Sequence, residues 1–295
     1  MMQFSVVIAT RNRAPSLQRA LVSLKGQTAP PSFEVIVVDN GSADATPSVV
    51  ETIRASFPAV RYVWAPEPNR GKARNLGTTL ARGRYLLFCD DDVIVPSNWI
   101  AAHLAAHRDT GERVVNGPIV NVPSCESRPP PRAANYSRAF LCTCNASLSK
   151  VAFDSVGGFD ESFDLYGWED TELGARLRAA GVRWKFAWNA YLWHVKPVDD
   201  ETLAAESRKA VEKARMAARF LDKHPSPRAR LATGAHAFNL LRARYLISEP
   251  ALAVCGGIAT SARAPAWLRA IARAQFLDAM YVRELLRTLD VSGSQ

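Results

Sequence analysis

Four short apolar runs, residues 4–9, 33–38, 60–64 and 85–89, alternate with helix-patterned segments at 16–25, 45–56 and 72–82. Strands alternating with helices of this length require crossover connections, hence a parallel sheet with helices on both faces. Ligands bind such sheets at the carboxyl ends of the strands. Three of the four runs end in polar or acidic clusters: Thr10-Arg11-Asn12-Arg13, Asp39-Asn40-Gly41-Ser42 and Asp90-Asp91-Asp92. Strand propensity does not ask for acids there, so the clusters are expected to converge on one crevice.

From 114 to 198 the pattern is less regular, with a helix at 170–180 and strands at 182–187 and 190–195. Beyond Pro197 the composition shifts: residues 202–289 hold 15 Arg or Lys against 6 acids, with many Ala at helical spacing. A boundary near residue 198 therefore separates an α/β domain, 1–198, from a helical carboxy-terminal domain, 199–295. Val211, Ala214, Ala218 and Leu221 are expected on one apolar face, and Leu268, Ile271, Ala274, Leu277, Tyr281 and Leu285 on another. Arg269, Arg273, Arg283 and Arg287 lie off that second face. They suit either a solvated basic surface or contact with an anionic membrane.

The chain of 295 residues, 48% hydrophobic and 22% charged, is ordinary for a folded protein. No basic segment precedes the first apolar run, and the apolar stretch 251–260 is half the ~20 residues of a membrane span and holds Gly256-Gly257. Five cysteines, with Cys142 and Cys144 too close for a zinc half-site, read as reduced thiols in a cytoplasmic protein. A net charge of +9 implies an anionic partner without choosing among nucleic acid, membrane and phosphorylated substrate.

The acids carry the chemistry. An Asp-x-Asp at a strand end can turn one carboxylate to a ribose and another to a hard divalent cation that neutralises a leaving diphosphate. The bland alternative, a solvated acidic turn, fits poorly directly after the apolar run 85–89. Glu169 and Asp170 open a helix, which the helix dipole alone would favour. The preceding Tyr166-Gly167-Trp168 and the earlier Gly157-Gly158-Phe159-Asp160-Glu161 suggest a substrate wall of flexible glycines and an aromatic, with a general base on a rigid helix start. His194, at a strand end, is either a core histidine or a further metal ligand. Asp39 and Arg11, with Arg70, Lys72 and Arg74, are candidates for nucleotide contacts; for the basic set a solvated helix start is the alternative.

Val6-Val7-Ile8-Ala9-Thr10-Arg11-Asn12-Arg13, Val35-Ile36-Val37-Val38-Asp39-Asn40-Gly41-Ser42, Asn69-Arg70-Gly71-Lys72-Ala73-Arg74-Asn75 and Phe88-Cys89-Asp90-Asp91-Asp92 together closely resemble family 2 glycosyltransferases. Gly157-Gly158-Phe159-Asp160-Glu161 through Gly167-Trp168-Glu169-Asp170 looks like the acceptor-side module of galactosyltransferase-type enzymes. The resemblance spans residues 3–196 and leaves the helical tail outside. It implies a GT-A fold with a mixed sheet, an inverting mechanism and Mn2+ or Mg2+. By position it implies that Asp39 contacts the nucleoside and Asp90 the ribose, that Asp92 and His194 hold the metal, and that Asp170 is the base. Thr10, Arg11, Asn12 and Arg74 join the nucleotide-sugar contacts, and so does Asp91, because three consecutive aspartates leave the Asp-x-Asp register open. Trp168 and Glu169 would shape the acceptor site.

The expected reaction is single displacement on a nucleotide sugar, a UDP-sugar by default, with a glycan or lipid-linked hydroxyl attacking. A nucleotidyltransferase would share the metal and the nucleotide site but has no use for an acceptor-side Trp-Glu-Asp. A dead binding module would not need the intact acids. A nucleic-acid-binding protein would need a recognition motif and aromatic–basic interleaving that the chain lacks.

Overall fold

The computed structural model describes residues 2–108, 111–196 and 202–292. The chain divides into two compact units, Met1–Asp164 with Glu169–Val198, and Leu165–Trp168 with Asp199–Gln295. The boundary expected near residue 198 falls outside the described residues.

In the first unit β1 (Phe4–Thr10), β2 (Phe33–Asp39), β3 (Val60–Trp64) and β4 (Tyr85–Cys89) form the parallel part of a seven-stranded sheet. Their connections are α1 (Ala14–Lys25), α2 (Thr46–Arg54) and α3 (Arg70–Thr79). After β5 (Val93–Ile94) and α4 (Trp99–Ala106), the sheet is extended by β6 (Arg113–Asn116), β8 (Asn145–Ser149) and β9 (Arg183–Phe186). β7 (Ile119–Val122) and β10 (Leu192–Val195) join β5 in a separate three-stranded sheet. Between β8 and β9 lie α5 (Lys150–Ser155) and α6 (Glu169–Ala179).

The large sheet has the order β3-β2-β1-β4-β8-β6-β9. It is mixed: β8 runs antiparallel to both β4 and β6. One core layer, with Leu17, Leu21 and Leu24 of α1, covers one face of the sheet, and another, with Ala73, Phe153 and Leu173, covers the opposite face. α3 approaches the sheet at Gly77, where an added Cβ would stand 2.6 Å from Val7 Cγ1. The same Cβ would meet Val38 Cγ2 at 3.0 Å, so α3 lies close over β1 and β2.

The second unit is helical: α7 (Leu203–Lys223), α8 (Pro227–Thr233), α9 (Ala237–Tyr245), α10 (Glu249–Thr260) and α11 (Ala266–Ser292). Thr202, Ser226 and Ser248 start three of these helices by accepting the backbone N–H three residues on, at 3.1–3.3 Å. The face expected on α7 is correct at Ala214, Ala218 and Leu221, all buried. On α11 the buried positions are Ala272, Val282 and Leu285, while Ile271 and Ala274 face solvent. Apolar residues are so frequent along α11 that spacing alone does not resolve a rotation of one residue. Arg273, Arg283 and Arg287 pair with Glu206, Glu249 and Glu284, and Arg269 donates to the Ala264 carbonyl. The basic stripe read from the sequence is therefore largely neutralised within the unit. No helix among the described residues is long and apolar enough to cross a membrane.

Candidate active site

The clusters after β1, β2 and β4 do converge. Asn12 takes a left-handed backbone, φ 53°, and its Oδ1 accepts the Ala43 N–H at 2.7 Å while the Ser42 hydroxyl accepts the Asn12 N–H at 2.9 Å. The Thr10 hydroxyl donates to Asp91 at 2.6 Å, tying β1 to β4. Arg13 reaches Asp92 at 2.5 Å and Asp91 at 3.5 Å. Arg11 is exposed beside this clasp. Burial pushes Asp91 up to about 6 against the pull of Thr10 and Arg13.

Asp39 is wholly buried. Its two oxygens accept from the Ser42 N–H at 2.8 Å and from the Tyr62 hydroxyl at 2.7 Å. Both Asp39 and Asp91 are thus engaged by the protein's own donors. Tyr62, on β3, had no signal in the sequence beyond an aromatic in an apolar run.

Arg74 is the hub. It is buried, and its guanidinium lies 3.4 Å from Asp90, 3.3 Å from Glu169 and 3.9 Å from Asp170. The Phe159 ring packs beneath it, 5.6 Å from Cζ to the centroid. Phe159 is held by Asn75, whose Oδ1 accepts the Phe159 N–H and whose Nδ2 donates to the Phe159 carbonyl. Gly158, at φ +71°, has no room for a Cβ, which would sit 2.8 Å from Asn75 Oδ1. The glycine pair expected to be flexible is a fixed turn that docks this phenylalanine.

Asp170 is clamped by Thr143. Its carboxylate accepts the Thr143 N–H at 2.8 Å and the Thr143 hydroxyl at 2.9 Å. Burial raises the Asp170 carboxyl and the Glu169 charge raises it further, with Arg74 and Thr143 opposing. A quarter of the side chain still meets solvent, so this is a carboxylate with raised basicity that a substrate proton can reach. Trp168 falls in the helical unit: at φ 73° it stacks on Phe220 with centroids 5.2 Å apart, and its buried indole N–H has no acceptor among the described residues.

At the other side of Asp90, His194 of β10 brings Nε2 to 3.0 Å from Asp92 Oδ1, and its Nδ1 lies 3.2 Å from Asn121 Oδ1. Asp92 Oδ1 is nevertheless a buried oxygen with no donor aligned on it. Burial pushes the Asp92 carboxyl up, but His194 and Arg13 outweigh it and hold it below its usual range. An orphaned carboxylate oxygen 3.0 Å from an imidazole nitrogen matches adjacent ligands in an octahedral shell of ~2.1 Å bonds. Asp90, Cys144 and His194 also bring ligand atoms within 4.8 Å of one another. Burial drives the Cys144 thiol well above its ordinary range, and a soft sulfur donor is a poor match for a hard ion. The Asp92 oxygen and the His194 nitrogen are donors that suit Mg2+ or Mn2+, and Asp90 approaches His194 without forming one group with Asp92.

A mixed sheet flanked by helices, with acids gathered at the strand ends, is a GT-A fold. Residues 5–159 match the Glycosyl transferase family 2 profile, and residues 124–196 match a profile described as the N-terminal domain of galactosyltransferase. The chain belongs to glycosyltransferase family 2. It is 32% identical over 263 residues to a validoxylamine A glucosyltransferase of Streptomyces hygroscopicus subsp. limoneus, covering 75% of this chain and 57% of that one. It is 39% identical over 246 residues to the uncharacterized glycosyltransferase YfnE of Bacillus subtilis, covering 62% of each. The chain thus spans about three fifths of the length of these relatives. Among solved structures, a mannosyltransferase of Pyrobaculum calidifontis in complex with GDP-Man and Mn2+ superposes with a TM-score of 0.67 at 19% identity, over 97% of this chain and 87% of that one.

Proposed function

We propose that this chain moves a sugar from a nucleoside diphosphate sugar to a hydroxyl of a glycan or lipid-linked acceptor, with inversion at the anomeric carbon. The observation that carries the proposal is the single buried guanidinium of Arg74 within 4 Å of Asp90 and of Asp170. A donor-side carboxylate and a raised carboxylate suited to proton acceptance share one rigid frame. Asp170 takes the acceptor hydroxyl proton as that oxygen attacks; Thr143 aims the carboxylate, and Arg74 limits its charge repulsion with Glu169. One displacement with no covalent intermediate inverts the configuration. Asp92 and His194, with Asp90 beside them, would hold Mn2+ or Mg2+, which when bound supplies charge for the leaving diphosphate. Asp39, Thr10, Arg11, Asn12 and Asp91 build the nucleotide side, and Trp168 and Glu169 the acceptor side.

A UDP-sugar is the default donor, on family resemblance alone. A cytoplasmic location with peripheral contact at an anionic membrane belongs to the same proposal. Exposed Phe238, Tyr245, Leu246 and Trp267 in the helical unit support that contact better than the paired arginines do. The experiment is to turn over a donor identified by screening and read the product's anomeric configuration by NMR, in the native protein and in Asp170→Asn. Inverted product, lost in the variant while donor binding persists, is the expected result; retained configuration overturns the proposal.

A further inference from the structure

We propose that an aromatic cluster on the edge strand β9 is a second carbohydrate site, which holds sugar rings of the acceptor chain away from the reacting hydroxyl. Its identity as an acceptor site rests on the transferase reading above; its capacity to bind a glycan does not.

β9 is the last strand of the seven-stranded sheet. Trp184 and Phe186 on it, Trp188 just beyond it and Tyr136 from the turn at Ala133–Asn135 form one group of rings. Tyr136 meets Phe186 edge-on at 4.9 Å, and Phe186 meets Trp188 edge-on at 5.0 Å. The Tyr136 and Trp188 planes lie within 22° of one another, with centroids 6.2 Å apart. Tyr136 is 45% exposed and Trp188 44%. Rings locked in place by their neighbours yet open to solvent lose little freedom when something stacks on them.

The surroundings choose the occupant. Segments 133–136 and 183–190 hold no aliphatic side chain larger than alanine. A protein or lipid partner is met by mixed aliphatic and aromatic surface. Isolated rings with an electron-rich face suit a sugar ring, whose polarised C–H groups meet the aromatic face while its hydroxyls remain in water. The Trp184 indole N–H also lacks an acceptor among the described residues.

The cluster is built into the frame of the catalytic residues. Asn116, at the end of β6, accepts the Ala187 N–H on its carbonyl at 2.8 Å. Its side-chain nitrogen donates to the carbonyls of Ala139 and Phe140, and its side-chain oxygen accepts the Cys142 N–H. One buried asparagine thus joins the end of β9 to the segment that runs from Tyr136 to Thr143, the residue gripping Asp170. Tyr136 and Thr143 are seven peptide steps apart, at most about 25 Å, within the reach of a glycan of a few sugars.

The test uses the whole chain without donor. Soluble oligosaccharides of two to six sugars, drawn from the cello-, malto-, chito- and manno- series, are titrated while the tryptophan indole N–H resonances are followed. Expected is a saturable shift of the Trp184 and Trp188 signals with at least one series, growing with chain length. It should weaken about tenfold in Trp188→Ala and in Tyr136→Ala, both confirmed folded by circular dichroism. The titration needs neither donor nor turnover, so a failure of the catalytic assignment leaves this result intact. Absence of any shift with all four series, or a shift unchanged in both aromatic variants, overturns the proposal.

Discussion

Burial and the neighbouring Glu169 charge raise the Asp170 carboxyl, and Arg74 with the two Thr143 donors pull it part of the way back. A base acts deprotonated, so kcat/KM should rise with pH through a limb lying above the ordinary carboxylate value. Thr143→Val deletes a hydroxyl that stabilises the charged form, so its limb should move to higher pH while donor affinity stays the same. A pH–rate profile reads both, and an unmoved limb would detach Thr143 from the base. Asp170→Asn keeps the shape without the basicity and should lower transfer about 10²- to 10⁴-fold. Asp92→Ala removes the oxygen that faces His194 and should abolish activity restored by Mn2+ after chelation; full activity of that variant in chelator would sink the cation assignment. At this scale charge made Asp90, Asp92 and Asp170 conspicuous in the sequence, and the fold sets them against Arg74 and His194. Thr143 did not, because a lone threonine between two cysteines carries no pattern until the fold sets it against Asp170.

β8 did not stand out because Asn-Ala-Ser-Leu-Ser alternates over only five residues, and Ala146 and Leu148 are its only apolar members. All five residues are buried, the polar ones by way of partners supplied from elsewhere. Asn145 donates to the Pro118 and Ala190 carbonyls and accepts from the Trp99 indole. The Ser147 hydroxyl lies 2.9 Å from His103 Nδ1 and 2.8 Å from His107 Nε2, binding α4 and its end to the strand. Burial lowers His103 to about 4 and His107 to about 3 from an ordinary 6.5. Between those values the unfolded chain binds more protons at these two histidines than the folded one, so their contribution to stability falls as pH drops toward 4, while the raised carboxyls of Asp91 and Asp170 act in the opposite sense. For His103 the full loss is about 3 kcal/mol. Urea unfolding of the native protein and of His103→Gln across this range isolates that share; a native pH slope no steeper than the variant's would contradict it. On α3, Gly77→Ala forces a Cβ against Val7 and should cost about 1–3 kcal/mol by overpacking, visible as a lower Tm. Strands β1 to β4 were legible because each run is mostly apolar despite Ser5, Glu34 and Arg61, and β9 and β10 fall within the expected 182–187 and 190–195; β5 to β8 are short or polar and are specified by tertiary partners.

Across the whole molecule, the sheet unit gathers the acids and the helical unit has a surface of its own, with Phe238, Tyr245 and Trp267 each at least 65% exposed. If that surface meets an anionic membrane, the protein should sediment with anionic vesicles, and Phe238→Ser with Tyr245→Ser should release it. Protein left in the supernatant under all conditions removes the membrane from the account. The chemistry itself is tested most directly by incubating the purified chain with Mn2+, a panel of UDP- and GDP-sugars and a mixture of glycan and lipid-linked acceptors, and identifying the phosphate product. The account predicts that one donor yields nucleoside diphosphate, that chelator stops this and that Asp170→Asn slows it at least a hundredfold. Release of pyrophosphate, or diphosphate release indifferent to both chelator and Asp170, would contradict it.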